Sequence, residues 1–188
     1  MTMKTIDYYL SPSSPWTYLG HARFADIARR HGAQVELKPV DFGVIFPQSG
    51  GLPLPKRAPQ RQAYRLMELK RWKEHLGLPL VVQPKHFPVD PGIAAHLICA
   101  APPGKRMALA GDLLAALWRE DRNLADPAVV AEIGARHGVS GGDKAAFERF
   151  TREALGRGVF GAPSYVLGDE IFWGQDRLDF LDRALGAR

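Results

Sequence analysis

The segment Pro163-Ser-Tyr-Val-Leu-Gly-Asp-Glu-Ile-Phe-Trp173 contains two short runs of β-forming residues on either side of Gly168-Asp169. A Gly-Asp pair between two such runs is a strong signal for a two-residue hairpin turn. The segment therefore predicts two antiparallel strands. Apolar residues at helical spacing follow from Asp176 to Leu185, so the chain is predicted to end in the order β-β-α.

The N-terminal part of the chain has a different order. Thr5–Leu10 is rich in β-forming residues, and a helix is predicted to follow up to Arg30. Ser14 suits the N-cap of that helix, and Pro15 suits its first turn. Residues 35–40 then predict a second strand. Because a helix connects these two strands, we expect them to be parallel.

The chain between these two parts is predicted to be helical, after a loop rich in proline and glycine over residues 46–59. Helical patterns are found at residues 60–76, 92–101, 105–119, 127–137 and 144–156. The whole order is typical of an α/β, thioredoxin-like fold with a large all-helical insertion between its β-α-β and β-β-α halves. We therefore expect a thioredoxin-like domain at residues 1–45 and 157–188, and an inserted helical domain at residues 46–156.

Composition excludes several classes of protein. The 188 residues are 46% apolar and 24% charged, as is ordinary for globular domains. No apolar run approaches the roughly 20 residues that a membrane-spanning helix needs, and the N-terminus lacks the pattern of a signal peptide. Cys99 is the only cysteine, so the chain cannot form an internal disulfide, and the six histidines lack metal-ligand spacing. We expect a cytoplasmic protein without a metal site or a membrane partner.

The net charge of +5 is concentrated in one stretch. Its seven basic residues are Lys56, Arg57, Arg61, Arg65, Lys70, Arg71 and Lys73. Such a stretch can be a solvated helix face or an anion-binding surface. Aromatic residues are too few between the bases to form a stacking platform, so nucleic acid is not the expected partner.

Three short segments are candidates for chemistry. Ser14-Pro-Trp-Thr17 occupies the place where thioredoxin-like proteins carry Cys-x-x-Cys, so dithiol redox chemistry is excluded there. Ser14 either caps the helix or stabilises the thiolate of another molecule. Pro163 is either the cis-proline of this fold, which leaves Ala162 free to pair with a peptide, or an ordinary strand-start proline. Asp176 either caps the last helix or binds an ammonium group. Together these segments predict a glutathione site.

The sequence also resembles a known family. Ser14–Gly20, Ser-Pro-Trp-Thr-Tyr-Leu-Gly, is similar to a segment of the kappa-class glutathione transferases and of the 2-hydroxychromene-2-carboxylate isomerases, which have a DsbA-like thioredoxin fold. Val159–Pro163 and Leu167–Leu178 resemble the C-terminal block of the isomerases. The resemblance implies that Ser14 is the catalytic residue beside the glutathione sulfur. It implies further glutathione contacts at Ala162, Pro163, Trp173, Gly174, Gln175 and Asp176.

The resemblance also implies a reaction and its other ligands. Glutathione would add reversibly to 2-hydroxychromene-2-carboxylate, an aromatic carboxylate of naphthalene catabolism, and so convert it to trans-o-hydroxybenzylidenepyruvate. Lys56, Arg57 and Phe87 fall near the substrate contacts of the isomerases. Arg61 is our candidate for binding the glycyl carboxylate of glutathione. We expect a homodimer. Two alternatives remain: a kappa-class glutathione transferase or peroxidase, and a non-enzymatic thioredoxin-like binding module.

Overall fold

A computed structural model describes residues 4–187 and contains a four-stranded sheet in the order β2-β1-β3-β4. The strands are β1 (Thr5–Leu10), β2 (Gln34–Pro39), β3 (Ser164–Leu167) and β4 (Glu170–Trp173). β1 runs parallel to β2 and antiparallel to β3, and β3 runs antiparallel to β4. Leu167 pairs with Glu170 across a two-residue turn in which Gly168 has a φ of 61°. The parallel pair and the hairpin that the sequence predicted are both confirmed.

Eight α-helices surround the sheet within the described residues. They are α1 (Pro15–Arg30), α2 (Phe42–Ser49), α3 (Pro59–Leu76), α4 (Gly92–Ala100), α5 (Pro103–Trp118), α6 (Pro127–Arg136), α7 (Lys144–Gly156) and α8 (Leu178–Gly186). Two short 3-10 turns lie at Leu54–Lys56 and Gln175–Arg177. Helices α2 to α7 all lie between β2 and β3, so the helical insertion into a thioredoxin-like fold is confirmed.

The prediction of a loop from residue 46 onwards is wrong for its first residues, because α2 extends to Ser49. The side chain of Asp41 caps α2 by accepting a 2.7 Å hydrogen bond from the amide of Gly43, and Gly50 ends the helix with a φ of 73°. Ile45 is fully buried, and its packing stabilises a short helix that contains Pro47 in its interior. The proposed domain boundary at residue 46 therefore lies inside a helix.

The last helix begins later than predicted. Gln175–Arg177 forms a 3-10 turn, and α8 starts only at Leu178 with no side-chain cap. Asp176 therefore does not cap the final helix. The apolar face is as predicted, since Leu178, Leu181 and Leu185 are all buried.

The sheet and the inserted helices pack into one main core. Tyr8 and Tyr165 stack with ring centroids 5.0 Å apart, and Phe24 of α1 lies 4.6 Å from Tyr8. The same cluster includes Leu113 and Trp118 of α5, which are completely buried. α5 therefore packs against α1 on one side of the sheet, and this packing fixes α1 relative to the insertion.

Two features are absent from residues 4–187. None of the helices there combines the length and the apolarity that crossing a bilayer requires. That part of the chain also holds no group of three or more His, Cys, Asp or Glu side chains placed to bind a metal ion.

Candidate active site

Ser14 lies at the N-terminus of α1 and caps it. Its Oγ accepts a 3.2 Å hydrogen bond from the amide of Thr17, and its backbone is extended as an N-cap requires. The hydroxyl is half-buried and remains able to donate its own hydrogen. Thr17, by contrast, is completely buried. Of the two hydroxyls that replace the usual cysteines, only that of Ser14 is accessible to a ligand.

Ala162 precedes a proline with a cis peptide bond, which confirms the cis-proline prediction for Pro163. Within residues 4–187 neither backbone group of Ala162 forms a hydrogen bond. The carbonyl of Pro163 accepts a 2.8 Å hydrogen bond from the amide of Gly174. The loop therefore offers one free amide and one free carbonyl beside the N-terminus of α1, while its next residue is fixed to the end of β4.

Trp173 is about half exposed and lies over Gly161. A Cβ at Gly161 would lie 2.3 Å from the Trp173 Nε1, so no larger residue fits beneath the indole. The ring also packs edge-on against Phe160, with centroids 4.8 Å apart. Gly174 follows with a φ of 103°, a conformation that side chains rarely adopt. Glycines at these two positions keep Trp173 against the cis-proline loop.

Gln175 and Asp176 have different surroundings. The Gln175 side chain is 2% exposed, and its Oε1 accepts a 2.9 Å hydrogen bond from Arg23. That side chain is therefore used to hold the 3-10 turn against α1. The Asp176 carboxylate is exposed, and among residues 4–187 its one ion-pair partner is Arg177, at 2.8 Å.

A cavity of about 660 Å³ lies between α3 and these segments. One wall is a single face of α3 together with Arg57 just before it, and the other is formed by the start of α1, the cis-proline loop and the 3-10 turn after β4. The lining residues are Trp16, Arg57, Gln60, Arg61, Tyr64, Arg65, Glu68, Trp72, Ala162, Trp173, Gly174, Gln175, Asp176 and Arg177. Most of the predicted glutathione contacts therefore meet the basic helix in one cavity.

Four of the predicted site residues do not line this cavity. Ser14 and Pro163 each lie within two residues of one that does. Lys56 is exposed in the 3-10 turn before α3. Phe87 packs against Trp118, and the Arg65 guanidinium lies 4.8 Å from its ring centroid. Phe87 is thus close to the cavity but screened from it by Arg65.

The most important residue that sequence reasoning missed is Arg65. It is buried, and burial together with the neighbouring Arg57 lowers its pKa to about 10. Burial also lowers the pKa of Arg57, and the charge of Arg61 adds to that effect. The signal was the spacing, because Arg61 and Arg65 are four residues apart on α3 and so share one face of that helix.

A smaller cavity of about 400 Å³ lies on the other side of the Ser14 loop. It is lined by Ser11 and Ser13, and by three carboxylates from separate segments, Asp41, Asp90 and Glu148. Lys144, which also lines it, forms a salt bridge of 3.7 Å with Glu148. This second cavity is therefore unfavourable for an anionic ligand.

Cys99 lies in α4, away from both cavities. It is buried, and that burial raises the pKa of its thiol to about 12. The thiol is therefore neutral at physiological pH and unsuited to nucleophilic chemistry. The prediction that Cys99 is a core thiol is confirmed.

Comparison with known proteins agrees with this geometry. The family model of the DSBA-like thioredoxin domain matches residues 5–186. A 2-hydroxychromene-2-carboxylate isomerase of Sphingobium xenophagum is 30% identical over 97% of this chain and 98% of its own length. One from Pseudomonas putida is 28% identical over 96% of this chain and 94% of its own.

Solved structures give the same result. The structure of a 2-hydroxychromene-2-carboxylate isomerase superposes with a TM-score of 0.76 and 26% identity, covering 97% of this chain and 94% of that one. A cytosolic disulfide reductase from Pseudomonas aeruginosa, solved with GSH, shares the fold with a TM-score of 0.61 and 22% identity over 97% of this chain and all of its own. The chain therefore belongs to the DSBA-like thioredoxin-domain family, in the group that contains the 2-hydroxychromene-2-carboxylate isomerases.

Proposed function

We propose that this protein is a glutathione-dependent isomerase that interconverts 2-hydroxychromene-2-carboxylate and trans-o-hydroxybenzylidenepyruvate. The observation that carries the proposal is the large cavity, which combines a free peptide backbone at Ala162, an exposed carboxylate at Asp176, and three arginines on or just before α3. The relatives' names supply the reaction.

The cavity has a suitable group for each part of glutathione. Asp176 suits the α-ammonium of the γ-glutamyl end, because its carboxylate is exposed and pairs with a neighbouring surface arginine that is itself exposed. The free amide and carbonyl of Ala162 suit the cysteinyl backbone. Arg61 is exposed on the opposite wall and suits the glycyl carboxylate. Trp173, Gly174 and Gln175 would shape the site between these groups.

The protein's part in the chemistry is to stabilise an anion. Bound glutathione supplies the nucleophilic thiolate, which adds to the conjugated carbon of the substrate and is later eliminated. The Ser14 hydroxyl donates a hydrogen bond to that thiolate while its Oγ keeps the cap of α1. The amides at the start of α1 add the positive end of the helix dipole. Trp16 and Trp173 exclude water from the cavity walls.

The charge of the cavity favours an anionic substrate. Arg57, Arg61 and Arg65 line it, and Glu68, an acidic residue on the same helix face, bonds to Arg71 at 2.5 Å. Arg57 donates a 2.8 Å hydrogen bond from Nε to the carbonyl of Leu52, which leaves its other N–H groups for a substrate carboxylate. Phe87 would contribute to this part of the cavity indirectly, because its ring packs against the guanidinium of Arg65. Lys56 would act on the substrate carboxylate only by electrostatic attraction over a distance, without contacting it.

The decisive experiment is an assay of the purified protein with 2-hydroxychromene-2-carboxylate, with and without glutathione. We expect interconversion that requires glutathione. Conjugation of 1-chloro-2,4-dinitrobenzene without isomerisation would favour the kappa-class transferase instead. Binding of glutathione without any turnover would favour a non-enzymatic module.

Two further parts of the proposal follow from the sequence resemblance. The protein is proposed to act as a homodimer and in the cytoplasm, in the catabolism of aromatic compounds. Analytical ultracentrifugation at several protein concentrations tests the first part. A sedimentation coefficient of a 20.8 kDa monomer at all of them would contradict it.

A further inference from the structure

Arg65 is the most buried charged group on the wall of the large cavity. The residue is 9% exposed, and it lies on α3 one turn beyond the exposed Arg61. No carboxylate within residues 4–187 forms a salt bridge with it, and its Nη2 has no hydrogen-bond partner there. A buried guanidinium without a counter-ion is unfavourable for the fold, so an anion that enters the cavity and pairs with it would remove that cost.

The guanidinium is held in place by aromatic rings. Its Cζ lies 4.8 Å from the centre of the Phe87 ring and 5.8 Å from that of Trp118, and these two rings pack against each other. Packing of this kind fixes the plane of a guanidinium while its N–H groups stay available at the edge. Arg65 is thus rigid, oriented and incompletely bonded.

The groups around Arg65 leave its charge uncompensated. Arg57 adds a second positive charge nearby. Glu68 lines the same cavity but is bonded to Arg71. The partner that fits is therefore an anion that enters the cavity, and a planar carboxylate matches the fork of a fixed guanidinium.

We infer that Arg65 is the specificity residue that binds the carboxylate of the second substrate, with the aromatic part of that substrate against Trp16 and Trp72. The inference rests on the proposed function for the identity of the substrate. The buried position suits a ligand that is fully enclosed, whereas the exposed Arg61 suits the solvent-facing end of glutathione. The smaller cavity, with its three carboxylates, offers no comparable place for an acid.

The test compares trans-cinnamate with cinnamamide, a pair that differs in charge but hardly in shape. Binding of each, and of glutathione, is measured by calorimetry for the wild type, Arg65→Met, Arg65→Lys and the matched control Arg61→Met. We expect Arg65→Met to weaken cinnamate binding roughly ten- to a hundredfold and to leave cinnamamide and glutathione unchanged. Arg61→Met should weaken glutathione binding and leave cinnamate binding unchanged.

Thermal unfolding provides a second readout. Because Arg65→Met removes a buried charge that has no partner, its midpoint should equal or exceed that of the wild type. A large fall in the midpoint with unchanged cinnamate binding would show that Arg65 is structural and would overturn the inference. If Arg65→Met does not fold, Arg65→Lys tests the inference instead. This variant keeps the positive charge but loses the planar fork of the guanidinium, so cinnamate binding should still weaken.

The proposed function and the inference about Arg65 can be disproved independently of each other. If turnover of the chromene acid is observed but Arg65→Met binds cinnamate like the wild type, the inference about Arg65 is wrong. The same holds if Arg65→Met weakens only glutathione binding. If turnover is absent while cinnamate binding depends on Arg65, the proposed reaction is wrong and the carboxylate site stands.

Discussion

The amide of Gly174 donates a 2.8 Å hydrogen bond to the carbonyl of Pro163, and this contact joins two of the segments that form the candidate site. The cis-proline loop and the end of β4 are thus held as one unit. Trp173 closes over Gly161 on the same unit. Because the strands behind them form a continuous hairpin, the groups proposed to bind glutathione are positioned by the sheet itself.

Replacing Ser14 by alanine should lower turnover by about 10² to 10³, because one hydrogen bond to the developing anion is lost. Glutathione affinity should change little. The absorbance of the bound thiolate should titrate at higher pH. Loss of the N-cap should also lower the free energy of unfolding by about 1 kcal/mol.

Two variants separate the roles of Ser14. Ser14→Thr keeps both the cap and the hydroxyl, so it should retain most of the activity. Ser13→Ala removes a neighbouring hydroxyl that bonds to Ser11 at 3.0 Å, and it should be nearly neutral. A Ser14→Ala protein with normal turnover and normal thiolate titration would reduce Ser14 to a helix cap.

Asp176→Asn should weaken glutathione binding roughly ten- to a hundredfold, because a charge-assisted hydrogen bond to the ammonium group is lost. Stability should change by less than about 0.5 kcal/mol, since the pair with Arg177 is exposed. The control is Asp179→Asn, which alters an exposed carboxylate of the next helix. Equal calorimetric affinities for the two variants would refute the γ-glutamyl assignment.

Neutralising the two basic residues just before α3 should separate one that lines the cavity, Arg57, from one that does not, Lys56. Arg57→Gln should raise the Michaelis constant for a carboxylated substrate much more than for an uncharged aromatic electrophile, because the lost interaction is with the carboxylate. Lys56→Gln should have little effect on either, since Lys56 is exposed outside the cavity. A uniform small response of both substrates in both variants would mean that this stretch is only a solvated surface.

Gly161→Ala should damage the site more than the fold. The added methyl would lie 2.3 Å from Trp173 Nε1, and the half-exposed indole can move outwards to relieve the clash. We expect glutathione affinity to fall about tenfold and the free energy of unfolding to fall by about 1 kcal/mol. Gly104→Ala is the control, because nothing lies within 4 Å of a Cβ at that position. Unchanged affinity in Gly161→Ala would show that Trp173 is not part of the site.

The order of strands and helices was predictable because it depends on local patterns. Gly168-Asp169 has the turn chemistry of a hairpin, and Ser14-Pro15 has the chemistry of a helix start. α2 was missed because Pro47 and the following glycines argue locally against a helix. The burial of Ile45, which stabilises it, is a tertiary effect that no short window of sequence contains.

The candidate site was predictable in the motifs that carry the family resemblance and less so in its basic wall. Asp176 and Ala162, which line the cavity, could be named from the sequence because the resemblance covers them residue by residue. Arg65 was counted only as one of seven bases, because its burial depends on Phe87 and Trp118 from outside α3. Lys56 and Phe87 were assigned to the substrate contacts by an alignment that passes through a loop. A shift of one helical turn in that alignment changes which side chain is assigned to the ligand.

The burial of Cys99 has a consequence for how this protein meets oxidised glutathione. Thiol–disulfide exchange requires a thiolate, and the only thiol in the chain is enclosed with a pKa of about 12. The site itself carries hydroxyls where related folds carry sulfur. Glutathione disulfide that competes at the proposed glutathione site therefore cannot capture the protein as a mixed disulfide, so inhibition by it should reverse on simple dilution, without any reductant.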